Sequence, residues 1–193
     1  MAKRIVIIQG HPDPQGNHFG HALANAYAEE ADEAGHEIKR IDVARLDFPL
    51  LRSQEEFERG APPEAIREAQ EAIRWADHLV IFFPLWLGTM PAFLKGFLEQ
   101  LFRPGFAMAY PEGKMPKKLL KGKSARIVVT MGMPAFFYRW YFHAHGVKGL
   151  EQSVLRFSGI RPIRETFIGR VEGSSAGREK SLAKLRTLGR QGR

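Results

Sequence analysis

Side chains that can do chemistry are concentrated in three short stretches of this 193-residue chain. Residues 10–19 place histidine and asparagine among glycines and prolines, and residues 84–91 hold Trp86 and Leu87 between two prolines. Residues 130–145 combine a run of aromatic side chains with two histidines. Imidazole and phenol groups transfer protons, whereas indole and phenyl rings provide flat apolar surface. These residue types favour a site for a planar ligand that carries an anionic group.

The stretch from Gly10 to Phe19 lies between an apolar run and a helical pattern. Backbone amides at a helix start attract anions, and His11 and Asn17 could add donors there. An ordinary strand–helix connection has the same glycine- and proline-rich composition. The dinucleotide pattern G-x-G-x-x-G does not occur, so the stretch alone does not distinguish an anion site from a simple connection.

Trp86 and Leu87 directly follow the third apolar run, in a segment that begins at Pro84 and ends at Pro91. If they are exposed, they form a rigid wall for a flat ring, with backbone amides beside it. The alternative is that both side chains pack beneath the loop at 103–123, since large apolar residues are usually buried.

Six of the seven residues in 136–142 are aromatic. A cluster of this density predicts a buried interface, a planar ligand, or both. Tyr138, His143 and His145 place proton-exchanging groups beside it. For a histidine considered alone, a structural role is the alternative.

Five short apolar runs alternate with helical patterns along the chain. We predict strands at 4–9, 36–43, 78–83, 125–131 and 163–168, and helices at 18–34, 63–75, 91–102, up to about 158, and 177–188. Loops are predicted at 44–62 and 103–123, the second as a lid or a dimer arm. This alternation predicts a doubly wound parallel α/β sheet with helices on both faces. Ligands of such sheets lie beyond the carboxyl ends of the strands, where the three stretches begin.

The composition, 44% hydrophobic and 26% charged, is that of a single globular domain over residues 1–193. The lack of cysteine excludes disulfides and thiolate chemistry, and His18 and His21 lack a third ligand for a metal. No apolar run reaches the roughly 20 residues of a membrane span, and the short N-terminal run does not resemble a signal peptide. We therefore expect a cytoplasmic protein without a metal site or membrane insertion.

The net charge of +8 is unevenly distributed. Residues 1–110 contain 11 Lys and Arg against 16 Asp and Glu, so the positive excess lies beyond Tyr110. This basic half could face an acidic protein partner or nucleotide phosphates, or could simply be solvated. Nucleic acid is not expected as a partner, because no nucleic-acid-binding motif occurs.

Residues 82–108, FFPLWLGTMPAFLKGFLEQLFRPGFAM, closely resemble the motif of the flavodoxin-like NAD(P)H:quinone oxidoreductases, the DT-diaphorase family. Bacterial members include the modulator-of-drug-activity and potassium-efflux ancillary types. Residues near the start, after the fourth strand and around Tyr138 extend the resemblance over nearly the whole chain. The family implies a flavodoxin-like sheet of five parallel strands in the order 2-1-3-4-5.

The resemblance also implies a bound flavin in a homodimer with active sites at the subunit interface. FAD is favoured over FMN, and the choice between them stays open. Three groups of residues carry over by position to the phosphate and ribityl chain, the isoalloxazine ring, and its polar edge. They are His11, His18 and Phe19, with Asn17 as a further donor; Pro84, Leu85, Trp86 and Leu87; and Thr130 and Gly132.

Tyr138 and His145 resemble the pair that balances charge beside the flavin during hydride transfer. The spacing to the histidine differs by one residue from the family pattern, so His143 competes with His145. Gly88 stands where relatives often have an aromatic residue, which would widen the pocket. Met133-Pro134 replaces a glycine-rich sequence, which would leave fewer amides over the flavin.

The family implies two-electron, ping-pong hydride transfer from NAD(P)H through the flavin to a quinone or similar acceptor. This agrees with the composition, because a chain without cysteine or a metal motif needs a cofactor to move electrons. Two other functions stay open. One is a regulatory flavoprotein subunit of a potassium-efflux system, docked through the basic half. The other is a flavodoxin-like electron carrier, although such carriers tend to be acidic.

Overall fold

Five parallel strands form the central sheet of the computed structural model, which describes residues 1–111, 113 and 115–193. They are β1 (Arg4–Gln9), β2 (Glu37–Asp42), β3 (His78–Pro84), β6 (Ser124–Thr130) and β7 (Ile163–Ile168), with two short strands, β4 and β5, outside the sheet. The spatial order β2-β1-β3-β6-β7 confirms the predicted flavodoxin-like order 2-1-3-4-5. β1 and β3 are almost wholly buried, as expected of apolar runs inside a parallel sheet.

Helices cover both faces of the sheet, as predicted. α1 (Phe19–Glu33) and α7 (Ser175–Arg190) pack on one face, and α3 (Glu64–Trp75) and α4 (Ala92–Leu101) pack on the other. Because α1 and α7 each follow a strand of a parallel sheet, both begin at the carboxyl ends of the strands. That edge of the sheet therefore carries two adjacent helix starts.

The loop predicted at 44–62 contains a helix that the sequence analysis missed, α2 (Gln54–Arg59). The Ser53 hydroxyl accepts a hydrogen bond from the Glu56 amide at 3.1 Å, and the Glu56 carboxylate accepts one from the Arg52 amide at 2.9 Å. A serine followed three residues later by glutamate is a helix-start pattern, so the signal for α2 was present in the sequence.

The loop predicted at 103–123 contains a small antiparallel sheet. β4 (Met108–Ala109) pairs with β5 (Lys117–Lys118), while residues 112 and 114 lie outside the described part of the chain. A role for this loop as a lid or a dimer arm stays a prediction.

The helix predicted to end near residue 158 is divided. α5 (Ala135–Trp140) and α6 (His145–Gly149) are separated by a break, and α6 continues into a π-helical segment, Leu150–Arg156. At the break, His143 and Ala144 have φ angles of 52° and 51°, a left-handed conformation that ends α5 and turns the chain. Among the helices of the described residues, none is long and apolar enough to cross a membrane.

Candidate active site

The carboxyl ends of β1, β3 and β6 bring the three predicted stretches together. The Gly10 amide donates to the Phe82 carbonyl at 2.7 Å, and the Leu85 amide donates to the Thr130 carbonyl at 2.8 Å. A Cβ atom at Gly10 would lie 2.5 Å from a side-chain carbon of Leu94 and 2.9 Å from the Phe82 carbonyl oxygen. Glycine is therefore required for this close approach of the first stretch to the second.

Three histidines form a stacked group at the start of α1. The rings of His11 and His18 stack with centroids 3.9 Å apart, and the ring of His21 is 5.3 Å from that of His11. The Asp13 amide donates to Nδ1 of His11 at 3.1 Å. Burial, followed by the nearby charges of His18 and His21, lowers the pKa of His11 to about 4. His11 is therefore neutral at pH 7, with its proton on Nε2 available for donation.

The start of α1 is suited to an anion. His18, the residue before the helix, makes no side-chain capping bond to the helix amides, because its Nε2 contacts the Asp13 carboxylate at 2.7 Å. Both ring nitrogens of His21 are buried without a hydrogen-bond partner among the described residues, and burial lowers its pKa. Asn17 is exposed and Phe19 half-buried at this edge. Uncapped amides and unpartnered donors are the groups that a bound phosphate would satisfy.

The residues Trp86–Thr89 form a tight turn at the end of β3. The Trp86 and Thr89 amides each donate to the other residue's carbonyl, at 2.9 and 3.0 Å. Leu87 and Gly88 between them have φ angles of 48° and 82°, as a primed turn requires. Trp86 is 49% exposed and Leu87 fully exposed, so the alternative that both pack beneath the loop at 103–123 is wrong. The turn presents an apolar surface to solvent, as the predicted wall requires.

The backbone conformation explains why glycine, rather than an aromatic residue, occupies position 88. An aromatic residue there would have to adopt the left-handed conformation, which costs a residue with a side chain about 1–2 kcal/mol. A Cβ atom at Gly88 would meet no atom within 4 Å, so backbone conformation rather than crowding favours glycine. The surface above the turn is accordingly open.

Tyr138 lies beneath this turn rather than on the open surface. It is 1% exposed, and its hydroxyl donates to the Gly88 carbonyl at 3.0 Å. Burial raises its pKa, an effect that the nearby Val147 and Gly146 amides oppose. A Cβ atom at Gly146 would lie 2.3 Å from the same Gly88 carbonyl oxygen. In the single chain, Tyr138 therefore contacts the turn and does not line the open surface, and its expected role beside the flavin stays a prediction.

A cavity of about 800 Å³ opens between the turn and the π-helical segment. Its wall is mainly apolar and includes Trp86, Leu87, Met90, Lys95, His145, Leu150 and Val154. His145 belongs to this wall, whereas His143 does not, although their ring centroids are 5.6 Å apart. The cavity's volume is within the usual range for small-molecule sites. Geometry thus favours His145 over His143 as the histidine that meets a ligand.

The aromatic cluster is exposed in the single chain. Five of its rings are 41% to 77% accessible to solvent: Phe136, Phe137, Trp140, Tyr141 and Phe142. Phe137 and Tyr141 stack on each other with centroids 4.9 Å apart, which orders the surface without covering it. A contiguous aromatic surface of this kind marks an interaction site.

The sequence analysis missed a second cavity at the carboxyl edge, of about 360 Å³. It lies between the starts of α1 and α7, with Phe19, Arg170, Ser174, Arg178 and Ser181 in its wall. Ser174 caps α7 by accepting from the Gly177 amide at 3.2 Å. The signal available in the sequence was the position of Arg170, two residues after the fifth strand. Two helix starts and two arginines make this cavity suited to an anion.

The remaining predicted residues occupy the same edge. Pro84 and Leu85 are half-buried at the end of β3, Thr130 is 8% exposed at the end of β6, and Gly132 is exposed just beyond it. Thr130 faces the start of α1, with its hydroxyl 3.9 Å from the position a Cβ atom would take at Gly20. All three residue groups carried over from the resemblance therefore adjoin one another.

A family model described as a flavodoxin-like fold matches residues 3–188, and the chain belongs to that family. Over 178 residues it is 29% identical to a ribosyldihydronicotinamide dehydrogenase-like protein, traD, from Penicillium crustosum. That match includes 79% of this chain but spans only 64% of the fungal relative's length.

Two further proteins match over nearly their whole length. One is an FMN-dependent NADH:quinone oxidoreductase from Bacillus anthracis, 26% identical over 92% of this chain and 90% of the relative. The other is the solved structure of an NAD(P)H:quinone oxidoreductase from Methanothermobacter marburgensis, 26% identical with a TM-score of 0.82 over all of both chains. These similarities agree with the resemblance carried by residues 82–108.

Proposed function

We propose that the protein is a flavin-dependent NAD(P)H:quinone oxidoreductase that acts as one domain. The proposal rests on one observation: three features lie together at one edge of the sheet. They are the start of α1, which is suited to an anion, the exposed apolar turn Trp86–Thr89, and the open cavity beside that turn. A flavin has a phosphate, a flat ring and a reactive face that match these three parts in turn. The relatives named as quinone oxidoreductases support the same chemistry.

The residues present fit a flavin. His11, Asn17, His18 and Phe19 would hold its phosphate and ribityl chain, where unpartnered donors lie at the start of α1. The turn with Pro84, Leu85, Trp86 and Leu87 would line the ring, and Thr130 and Gly132 would meet its polar edge. A bound flavin would accept a hydride from NAD(P)H and then pass two electrons to a quinone, in ping-pong order.

The chain's own residues would position the flavin and the quinone and would supply a proton to the quinone. Trp86 and Leu87 offer an apolar wall against which the flat ring of a flavin would pack. Tyr138 holds the turn through the Gly88 carbonyl. His145 lies on the cavity wall, where its ring can donate a proton to a quinone oxygen as that oxygen gains charge.

The visible spectrum of the purified protein tests this proposal. We expect a bound flavin that bleaches when NADPH is added without oxygen and recovers its colour when menadione follows. Reconstitution with FAD and FMN serves as the control for cofactor lost in purification. Failure to bind either flavin would contradict the proposal and leave a binding module with the same fold, whereas a stable one-electron semiquinone would favour the carrier function.

FAD is the proposed form of the flavin. The cavity between α1 and α7 adjoins Phe19 and offers Arg170 and Arg178 to a second phosphate. The Bacillus anthracis relative is named FMN-dependent and lends no support to this preference. The second cavity is the observation on which FAD rests.

Arg178→Gln should separate the two flavins. We expect its affinity for FAD to fall about tenfold or more, since hydrogen bonds to charged groups contribute about 1.5–3 kcal/mol, while FMN affinity stays unchanged. Arg186→Gln on the same helix is the matched control, because Arg186 pairs with Glu179 and does not line the cavity. Fluorescence titration of apoprotein measures both affinities. Equal losses for FAD and FMN would contradict the assignment.

A homodimer is the proposed assembly, with the aromatic cluster in the interface. A soluble monomer rarely leaves so large an aromatic surface exposed. The double substitution Phe136→Ser and Trp140→Ser, at side chains 65% and 77% exposed, should weaken the dimer at least tenfold. Sedimentation velocity measures the change, with Arg139→Ser as the control on the same helix. A monomeric parent protein would refute the assembly.

A further inference from the structure

A cavity of about 200 Å³ lies on the sheet face opposite α1 and α7, beside the end of α2 and the first residues of the loop at 103–123. Gln70, Arg74, Arg103 and Phe106 contribute to its wall. It shares no residue with the cavities of the candidate active site. Nothing in the proposed oxidoreductase function uses it.

Arg103 in this cavity is a buried cation with incomplete hydrogen bonding. It is 4% exposed, and its Nε and Nη2 atoms donate to the carbonyls of Phe57 and Glu56 at the end of α2. Its Nη1 atom is buried and has no hydrogen-bond partner among the described residues. Buried charged donors left unsatisfied are costly, so a missing acceptor is expected at this place.

Arg74 supplies a second cation. Its guanidinium lies over the ring of Phe106, 5.0 Å from the centroid, which orders the side chain at the cavity wall. Neither Arg74 nor Arg103 forms an ion pair with a carboxylate of the described residues. Arg74 and Arg103 therefore both contribute a cation to the wall of this cavity.

The acidic side chains around the cavity are engaged elsewhere. Glu58 lines the cavity, but its carboxylate accepts from Gln54 at 2.7 Å on the exposed side of α2. The Glu56 carboxylate accepts from the Arg52 amide. Glu58 is thus the single carboxylate among the lining residues, against the two cations Arg74 and Arg103.

We propose that this cavity binds a small oxyanion, namely phosphate or the phosphate group of a small metabolite, between Arg74 and Arg103. Its volume is below the roughly 300–1,000 Å³ of sites for larger organic ligands, so the size favours a small anion. Nε and Nη2 of Arg103 already donate to α2 carbonyls, so its Nη1 atom is the donor left for a phosphate oxygen, and the guanidinium of Arg74 is the second cation. Because Arg103 also holds the end of α2, a bound anion ties α2 to the loop at 103–123.

Calorimetric titration of the purified protein, first saturated with flavin, tests the site with inorganic phosphate and with glycerol 3-phosphate. We expect saturable binding, and a rise in melting temperature of about 3–6 °C at a concentration ten times the dissociation constant. Chloride at matched ionic strength is the salt control. Tighter binding of inorganic phosphate would assign the free ion, and tighter binding of the ester a phosphorylated metabolite.

Arg74→Gln is the decisive variant, because Arg74 is exposed and its loss leaves the contacts of Arg103 with α2 intact. We expect phosphate affinity to fall at least tenfold. Arg67→Gln on the same helix is the matched control, since the Arg67 side chain pairs with Glu64 and donates to the Pro62 carbonyl but does not itself line the cavity, and it should bind phosphate like the parent. Arg186→Gln should also bind like the parent, because Arg186 pairs with Glu179 and lines neither this cavity nor the one between α1 and α7. Absence of saturable binding, or equal binding by Arg74→Gln, would overturn the proposal.

Discussion

Replacing His145 with alanine should slow quinone reduction about 100-fold while flavin stays bound. A positioned general acid typically contributes 10²–10⁴-fold to a rate, and His145 is the histidine on the wall of the cavity beside Trp86. The oxidised quinone gains two electrons, so its oxygen needs a proton from a nearby donor. Stopped-flow measurement of flavin reduction by NADPH and reoxidation by menadione resolves the affected step.

His143→Ala is the matched comparison. The two rings lie 5.6 Å apart in the same segment, but the His143 ring does not reach the cavity wall, so we expect less than a threefold change. Tyr138→Phe should act differently, by loosening the turn through loss of the bond to Gly88 and weakening flavin binding together with the rates. If His143→Ala reduced quinone slowly and His145→Ala reduced it at the parent rate, His143 rather than His145 would be the proton donor.

Gly146→Ala should disable the site by displacing the turn above it. The added Cβ atom would lie 2.3 Å from the Gly88 carbonyl oxygen and 2.8 Å from the Thr89 Cα, both backbone atoms that cannot rotate away. Overpacking of this kind typically costs about 1–3 kcal/mol, and here the turn that carries Trp86 must move. We expect flavin affinity to fall at least tenfold, measured by titration of apoprotein.

Gly149→Ala provides the control on the same helix. Gly149 also lines the cavity, but a Cβ atom there would meet no protein atom within 4 Å and so would leave the turn in place, and the helical backbone accepts alanine without strain. This variant should bind flavin like the parent and unfold at the same or a slightly higher temperature. Equal flavin binding by both variants would show that the turn tolerates displacement.

Helix and strand identity is local information, and most of it could be predicted. The apolar runs of β1, β3, β6 and β7 and the caps around them depend on residues within a few positions of one another. Alternation of strands and helices, with right-handed crossovers, then leaves few topologies, which is why the strand order was confirmed. α2 was missed although its capping pattern is local, because the surrounding prolines and charges favoured a loop.

The meeting of the three stretches also followed from sequence, since each comes after a strand of the parallel sheet. The direction of individual side chains did not. Tyr138 was expected beside the ligand, but the left-handed residues His143 and Ala144 end its helix and bring Gly146 and the Tyr138 hydroxyl onto the Gly88 carbonyl. That contact joins residues 50 positions apart, and no periodic pattern reports it.

The sequence by itself determined the doubly wound sheet, the edge at which the site lies and the residue types available for a planar anionic ligand. Only the tertiary structure decided that His145 reaches the cavity and Tyr138 does not. It alone placed Arg170 and Arg178 on the wall of one cavity and buried Arg103 with a donor that no acceptor among the described residues meets. The reason is physical: local hydrogen bonding and hydrophobic periodicity set element type, whereas contacts between distant residues depend on how the completed elements pack.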